Sequence, residues 1–327
     1  MKLGIIGSGL IVQEFLPRLI ELDGVEVIGI LSTLRSIEDA EKLCEENNVK
    51  IATTDFDELC NAGIDTVYVA VPNFLHFDYC KRALEKNLNV ICEKPMTSNE
   101  SEAVELQKLA KDRQKFFFEA ITTLYLGAFQ KIREWLPKIG DIKLVRSEYS
   151  QYSRRYNAFR AGEVLPAFDP KKSGGALMDL NLYNMHLVMS LFGEPIGAEY
   201  FANIERDIDT SGVLVLKYEN FVATCIAAKD SKGSQESLIQ GTDGHIHIER
   251  SANLLGGVTL ELNNGTFEYY NDHGDENRLE PEFKTFIDAI NRNDLEFCYK
   301  QLEKSVAVCR IQTAVRKKAG IKFAADE

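Results

Sequence analysis

The 327-residue sequence lacks several features that would assign it to a specialised class of protein. It has no apolar run close to the roughly 20 residues of a transmembrane helix, and the apolar stretch after Met1 is too short for a signal peptide. None of its seven cysteines forms a C-x-x-C pair, so we expect reduced thiols in a cytoplasmic protein. A net charge of −12 argues against partners such as nucleic acid or an anionic membrane.

The sequence does contain a regular alternation of short apolar strands and helices over its first 120 residues. Thr66–Val71 is almost continuously hydrophobic, which is typical of a strand buried on both faces. Such alternation predicts a doubly wound parallel sheet of the Rossmann type over residues 1–120. Short turns such as Asn263–Gly265 then join many further strands, and hairpin turns imply antiparallel pairing. We therefore predict an α/β protein whose residues 121–327 form an α+β domain with an open, mainly antiparallel sheet, its last helices being able to pack back on the first domain.

A glycine-containing turn follows the first predicted strand and reads Gly7-Ser8-Gly9-Leu10-Ile11. Gly7 permits a tight turn, and Gly9 permits the backbone to approach a pyrophosphate held at the helix N-terminus. Val12 replaces the third glycine of the usual fingerprint, so an ordinary glycine turn is the alternative. The placement between a strand and a helix predicts a dinucleotide site.

The end of the second strand bears on the choice between NAD and NADP. NAD enzymes usually carry Asp or Glu there, but this sequence has no acidic residue between Leu31 and Glu38. Ser32 and Thr33 can hydrogen-bond a 2′-phosphate, and Arg35 can pair with it. A polar loop with a solvated arginine is the alternative, so the pattern favours NADP only slightly.

Two further segments follow the fourth and fifth strands, where ligands bind in open α/β sheets. The first is Pro72-Asn73-Phe74-Leu75-His76, and the second is Glu93-Lys94-Pro95. A lysine at this edge can hydrogen-bond a substrate hydroxyl and stabilise a developing alkoxide without a metal ion. The alternative for Glu93 and Lys94 is a solvent-facing ion pair.

The segment from Ser173 to His186 reads as a glycine turn that runs into a helix. At 100° per residue, Asp179, Tyr183 and His186 share one face and are expected to reach a common ligand. For His186, a buried hydrogen-bonded position is a serious alternative. Upstream, Tyr152 and Arg155 belong to a basic and aromatic segment that either contacts a polyol or anionic substrate or forms a solvated loop.

Taken together and in this order, these motifs resemble the glucose–fructose oxidoreductase / inositol dehydrogenase (Gfo/Idh/MocA) family, most closely its dihydrodiol-dehydrogenase-like branch. The resemblance covers essentially the whole chain and implies that the first domain binds NAD(P) and the second binds substrate and forms oligomers. It also implies a homodimer or a higher homo-oligomer paired through the open sheet. Val12 and Asn181, where the family usually has small residues, depart from the pattern.

The resemblance further assigns roles to individual residues. Lys94 is then the catalytic lysine, Tyr183 is the acid/base, and Asp179 orients either the substrate or the lysine. The residues that line the cofactor are Asn73, His76 and Glu93.

The function implied is hydride transfer between a nicotinamide and a secondary alcohol, or its carbonyl, in a sugar, cyclic polyol or dihydrodiol-like substrate. In oxidation, Tyr183 as phenolate takes the hydroxyl proton, and the charge of Lys94 favours that phenolate. One alternative is a non-catalytic sensor that binds a dinucleotide and regulates a partner. Another is an oxidoreductase that keeps its cofactor bound and shuttles hydride between two sugars.

Overall fold

The computed structural model describes residues 1–271 and 278–327. The chain divides into two compact units: Met1–Ala120 with Leu279–Val306, and Ile121–Arg278 with Ala307–Glu327. The boundaries expected from the sequence were 1–120 and 121–327. The structure differs at Leu279–Val306, which belongs to the first unit. Among the described residues, no helix is both long enough and apolar enough to cross a bilayer.

The first unit is built on a six-stranded sheet with the order β3-β2-β1-β4-β5-β6. Its strands are β1 (Lys2–Ile6), β2 (Glu26–Leu31), β3 (Ile51–Thr53), β4 (Thr66–Val69), β5 (Asn89–Glu93) and β6 (Phe117–Ala120). Every neighbouring pair is parallel. The central strands are almost wholly buried, because helices cover both faces of such a sheet. The predicted doubly wound parallel sheet is confirmed.

Five helices connect these strands: α1 (Leu10–Leu19), α2 (Ile37–Glu46), α3 (Phe56–Asn61), α4 (His76–Glu85) and α5 (Glu100–Asp112). Helix α3 was not predicted from the sequence. Asp55 was the residue in the sequence that indicated the start of this helix. Its side chain accepts a hydrogen bond from the backbone N–H of Asp57 at 2.8 Å and caps the helix. A six-residue helix is too short to show a clear apolar period, so the cap was the only available indication.

The second unit is built on an eight-stranded sheet with the order β14-β13-β12-β11-β7-β10-β9-β8. Its strands are β7 (Ile142–Ser150), β8 (Gly197–Glu205), β9 (Ile208–Lys217), β10 (Val222–Ala228), β11 (Ser237–Gly241), β12 (Gly244–Ile248), β13 (Val258–Leu262) and β14 (Phe267–Tyr270). Among the strands that the structure describes, β7 and β10 pair in parallel and the other neighbouring pairs are antiparallel. The predicted open and mainly antiparallel sheet is confirmed.

Among the described residues, three helices lie wholly within the second unit: α6 (Gly127–Trp135), α7 (Arg154–Arg160) and α8 (Leu182–Phe192). A π-helical turn over Leu177–Asn181 leads directly into α8. The Asn181 side chain is fully buried and donates to the carbonyl oxygen of Cys225 in β10 at 3.0 Å. Asn184 donates to the carbonyl oxygen of Ile226 at 2.9 Å. Asn181 therefore fastens this helix to the sheet, which gives its departure from the family pattern a structural explanation.

Two helices complete the chain, α9 (Glu280–Asn291) and α10 (Leu295–Lys318). In the first unit, Phe283 of α9 packs 4.9 Å from the ring of Phe15 and 5.1 Å from the ring of Tyr68, measured between centroids. Near the end of α10, buried Arg316 donates two hydrogen bonds to the Asp326 carboxylate, at 2.6 and 2.9 Å, and so holds the C-terminal tail.

Candidate functional site

The segments predicted to bind a cofactor all follow strands β1, β2, β4 and β5 of the first unit. Because parallel strands end at the same edge of their sheet, the segments after these strands emerge side by side. The chain runs from β1 outward to β3 in one direction and from β4 outward to β6 in the other. The strand order thus reverses between β1 and β4, where ligands bind in open α/β sheets.

Gly7 and Gly9 serve different purposes in the turn after β1. Gly7 has φ +113°, and a Cβ there would overlap the carbonyl oxygen of Ala70. Gly9 caps α1 with an ordinary φ of −72°, and a Cβ there would meet no atom within 4 Å. Neither backbone conformation nor packing requires glycine at position 9. Open space in front of the α1 N-terminus is what a bound pyrophosphate needs.

Hydroxyl groups are clustered where β1 and β2 end. The Ser8 and Ser32 hydroxyl oxygens are 2.8 Å apart, as are those of Ser32 and Ser36 and those of Thr33 and Ser36. Thr33 and Arg35 are exposed, whereas Ser32 is buried. Ser36 was missed in the sequence analysis; a serine immediately before an amphipathic helix was the available signal.

The Glu93 carboxylate is anchored from inside the first unit. The buried Tyr68 hydroxyl donates to Glu93 Oε1 at 2.6 Å, and the Lys94 backbone N–H donates to Glu93 Oε2 at 3.3 Å. Lys94 itself is half-buried and precedes a cis peptide bond to Pro95. The segment that carries the predicted catalytic lysine is therefore fixed at the end of β5.

His76 is buried, and both of its ring nitrogens contact backbone carbonyl oxygens. Nδ1 lies 2.8 Å from the oxygen of Pro95, and Nε2 lies 2.8 Å from the oxygen of Val71. Burial lowers the pKa of His76, although these two carbonyls oppose the effect. His76 joins the loop after β4 to the loop after β5 and thereby braces the Lys94 segment.

In the second unit, a tight turn precedes the helix that carries Asp179 and Tyr183. A Cβ on Gly174 would lie 2.7 Å from the carbonyl oxygen of Pro166. Gly175 has φ +106°, and a Cβ there would overlap Oδ1 of Asp209. Both glycines are thus required by close packing, and the turn places the following helix in a fixed direction.

The three residues predicted to share a helix face differ in their exposure. The side chain of Asp179 is 33% exposed, whereas Tyr183 is 6% exposed and His186 is fully buried. Asp179 lies in the π-helical turn, which has more residues per turn than an α-helix, so the spacing of 100° does not hold there. The ring of Tyr183 packs 5.9 Å from that of Tyr149, measured between centroids.

Asp179 is paired with a lysine that was not among the residues predicted from the sequence. Lys229 Nζ lies 2.8 Å from Asp179 Oδ2, and the lysine side chain is only 2% exposed. The available signal was its position directly after the apolar strand β10, at a point where a buried charge needs a partner.

A buried carboxylate, that of Asp209, holds the start of the same helix. Its Oδ2 accepts hydrogen bonds from the Leu177 backbone N–H at 2.6 Å and from the Tyr200 hydroxyl at 2.7 Å. Burial raises the pKa of Asp209 to about 6, although these hydrogen bonds and the charge of Lys229 favour the anion. Asp209 was also absent from the sequence-based candidates.

The upstream residues Tyr152 and Arg155 lie in and beside α7 on the surface of the second unit. Both are exposed, and the Tyr152 hydroxyl donates to Asn157 Oδ1 at 2.6 Å. Their contact with a substrate stays a prediction.

Comparison with known proteins places the chain in a family. Residues 1–120 match the model of the GFO/IDH/MocA oxidoreductase family, NAD-binding Rossmann fold, and residues 129–247 match the GFO/IDH/MocA C-terminal domain. IolU, the scyllo-inositol 2-dehydrogenase (NADP(+)) of Bacillus subtilis (strain 168), is 31% identical to this chain. The alignment covers 100% of this chain and 99% of IolU. The chain belongs to the GFO/IDH/MocA family of oxidoreductases. The family resemblance found in the sequence is confirmed.

Other relatives and solved structures are also similar to this chain. A trans-1,2-dihydrobenzene-1,2-diol dehydrogenase of Xenopus tropicalis is 28% identical over 66% of this chain and 65% of its own. KijD10, a 3-ketoreductase from Actinomadura kijaniata crystallised with NADP and TDP-benzene, superposes with a TM-score of 0.83 at 20% identity, covering 99% of this chain and 98% of its own. At that identity the likeness concerns the fold alone.

The first unit of this oxidoreductase fits the nicotinamide dinucleotide that its family binds. The open space at Gly9 would receive the pyrophosphate against the α1 N-terminus. Beyond it, the clustered hydroxyl groups at the ends of β1 and β2 lie where the adenosine ribose is read in Rossmann folds.

Proposed function

We propose that the chain is an NADP-dependent dehydrogenase of a secondary alcohol in a sugar, cyclic polyol or dihydrodiol-like compound, working in either direction. The observation that carries this proposal is the full-length similarity to IolU, whose name specifies inositol and NADP. The loop after β2 supports the choice of NADP. It offers the hydroxyl groups of Thr33 and Ser36 and the charge of Arg35, with no carboxylate before Glu38.

The chemistry assigned to the protein is proton transfer and charge stabilisation, while the bound nicotinamide accepts or returns the hydride. In oxidation, Tyr183 as phenolate accepts the proton of the substrate hydroxyl. The Lys94 ammonium favours that phenolate and stabilises the negative charge that develops on the substrate oxygen. Asp179 orients the reacting groups. In the reverse direction, Tyr183 returns the proton to the oxygen of the reduced carbonyl.

Two substitutions test these roles with a panel of inositols and sugars. Lys94→Ala should lower turnover at least ~10²-fold while melting temperature and NADP affinity stay unchanged. Tyr183→Phe should do the same, because a phenyl ring cannot accept a proton. Lys42→Ala, at a 73% exposed position on α2, is the matched control. A Lys94→Ala variant with normal turnover would contradict the assignment.

The same panel separates the alternatives. Tight NADP binding without turnover of any compound favours the non-catalytic sensor. Nicotinamide cofactor that remains with the protein through purification favours the enzyme that shuttles hydride between two sugars. Release of cofactor in every cycle favours an ordinary dehydrogenase.

A homodimer and a cytoplasmic location are the remaining parts of the proposal. Phe201, Val213 and Ile226 are cross-strand neighbours on one face of the second sheet, and Phe201 is 60% exposed. An apolar row on an open sheet supports pairing of two copies. All seven cysteines are free, in agreement with a reducing compartment. Light scattering should give twice the monomer mass, and Phe201→Glu should lower it.

A further inference from the structure

Lys229 is held in place by its backbone at the end of β10. Its N–H donates to the carbonyl oxygen of Thr210 in β9, and its carbonyl oxygen accepts from the N–H of Ser153, both at 2.8 Å. Ser153 caps the short helix α7. These two hydrogen bonds fix the lysine backbone relative to both β9 and the start of α7.

The ammonium group of Lys229 is enclosed by three neighbours. It donates to Asp179 Oδ2 at 2.8 Å and to the carbonyl oxygen of Ala167 at 2.7 Å, and it lies 4.7 Å from the ring centroid of Phe168. The lysine side chain is 2% exposed, whereas that of Asp179 is 33% exposed. The cation is therefore inside the unit, and its carboxylate partner lies at the boundary with solvent.

The same ammonium group also connects to the glycine turn before the helix. The Ala167 carbonyl oxygen that it contacts accepts a second hydrogen bond from the Gly175 N–H at 3.1 Å. Gly174 has no room for a side chain beside Pro166. Lys229 thus contacts the helix through Asp179 and the turn through Ala167, so that both are held by one charge.

A buried ion pair is weak evidence of a contribution to stability. Removing a lysine from water is costly, and buried ion pairs are often replaced by apolar residues with no loss of stability. A buried cation that holds a partly exposed carboxylate does restrict the orientation of that carboxylate, because a charge-assisted hydrogen bond is strong and directional. Supporting contacts of this kind keep reacting groups in productive geometry.

We propose that Lys229 is a positioning residue for the oxidoreductase reaction, which fixes the orientation in which Asp179 meets the substrate. This inference rests on the proposed function, in which Asp179 orients the reacting groups. Lys229 touches neither substrate nor cofactor in this role and acts through Asp179.

A double-mutant cycle tests the proposal in the full-length protein. Lys229→Met should lower kcat about 10–100-fold, as a small misplacement of a reacting group does, and leave KM for NADP unchanged. In an Asp179→Asn background the same substitution should change kcat less than about 3-fold, because the residue through which it acts is already altered. Lys217→Met, at an exposed lysine ending β9, is the matched control and should match wild type in both backgrounds.

Each result decides for or against the proposal. No loss in Lys229→Met, or equal losses in the two backgrounds, would show that Lys229 does not act through Asp179. If Lys229→Met does not fold, Lys229→Gln, which keeps a donor for Ala167, is measured in the same cycle. Loss of fold in both variants assigns Lys229 to stability and overturns the proposal. A wild type that binds NADP but turns nothing over contradicts the proposed function itself, and this inference with it.

Discussion

The two glycines of the first turn provide a direct test of where the dinucleotide binds. Gly7 and Gly9 are two residues apart, yet the structure gives them opposite requirements. A methyl group at Gly7 overlaps protein backbone, whereas a methyl group at Gly9 projects into open space. Gly7→Ala should therefore damage the fold, and Gly9→Ala should damage only the binding of a ligand that occupies that space.

The expected magnitudes follow from the local geometry. At Gly7, the φ of +113° costs an alanine about 1–3 kcal/mol, and the overlap with Ala70 adds roughly 1–3 kcal/mol. At Gly9, the φ of −72° suits alanine. The loss of a favourable N-cap glycine there is at most about 1 kcal/mol, and it is partly offset by lower entropy of the unfolded chain. A tenfold weaker NADP affinity corresponds to about 1.4 kcal/mol, and we expect at least that for Gly9→Ala.

The assay combines urea unfolding with titration of NADPH, whose fluorescence reports binding. Gly9→Ala should unfold within about 1 kcal/mol of wild type while its Kd for NADPH rises tenfold or more. Gly7→Ala should unfold at a lower urea concentration than both wild type and Gly9→Ala. Wild-type affinity in Gly9→Ala would refute the placement of the pyrophosphate at this turn, and so would a loss of stability as large as that of Gly7→Ala.

Two further predictions concern single charges. Arg35→Ala should weaken NADPH binding by about 1–3 kcal/mol and leave NADH binding unchanged, since one charge-assisted contact is lost; identical titrations before and after the change would contradict the choice of NADP. Burial opposes ionisation of Asp326, but hydrogen bonds from Arg316 and the Phe323 N–H outweigh it and lower the pKa to about 2. Because the folded pKa is depressed, the stabilisation is present above pH ~4 and is lost as pH falls through about 2. Asp326→Asn should remove roughly 1–2 kcal/mol at neutral pH and flatten acid unfolding in that window, as circular dichroism would show.

The meeting of the segments after β1, β2, β4 and β5 at one edge of the sheet could be predicted from the sequence because it depends only on strand order. Parallel strands place their carboxyl ends at one edge, so the positions of Gly7, Ser32, Asn73 and Lys94 after four strands were enough to group them. The hydrogen-bond partners at that edge could not be predicted in the same way. His76, for example, meets the carbonyl oxygen of Pro95, which lies 19 residues away in the chain.

In the second unit, helical spacing predicted the relative positions of the candidate site residues less well. Periodicity assumes one helix type, and the π-helical turn at Leu177–Asn181 changes the angle between Asp179 and Tyr183. The partner of Asp179 is 50 residues away, at the end of a strand. A pair so distant in sequence leaves no periodic pattern. The available signal for Lys229 was the unusual position of a lysine directly after an apolar strand.

The buried carboxylate Asp209 changes how a pH profile of the reaction should be interpreted. A rise in oxidation rate with pH is expected if Tyr183 must lose its proton to act as the base. Asp209, whose pKa burial raises to about 6, is a second source of such a rise, because its ionisation adds a negative charge that acts on Lys229 and on the neighbouring Tyr200 hydroxyl. If Tyr183 is the base, the rise should vanish in Tyr183→Phe and persist in Asp209→Asn. A rise that survives Tyr183→Phe but is lost in Asp209→Asn would show that the profile reports the helix support and not the acid/base.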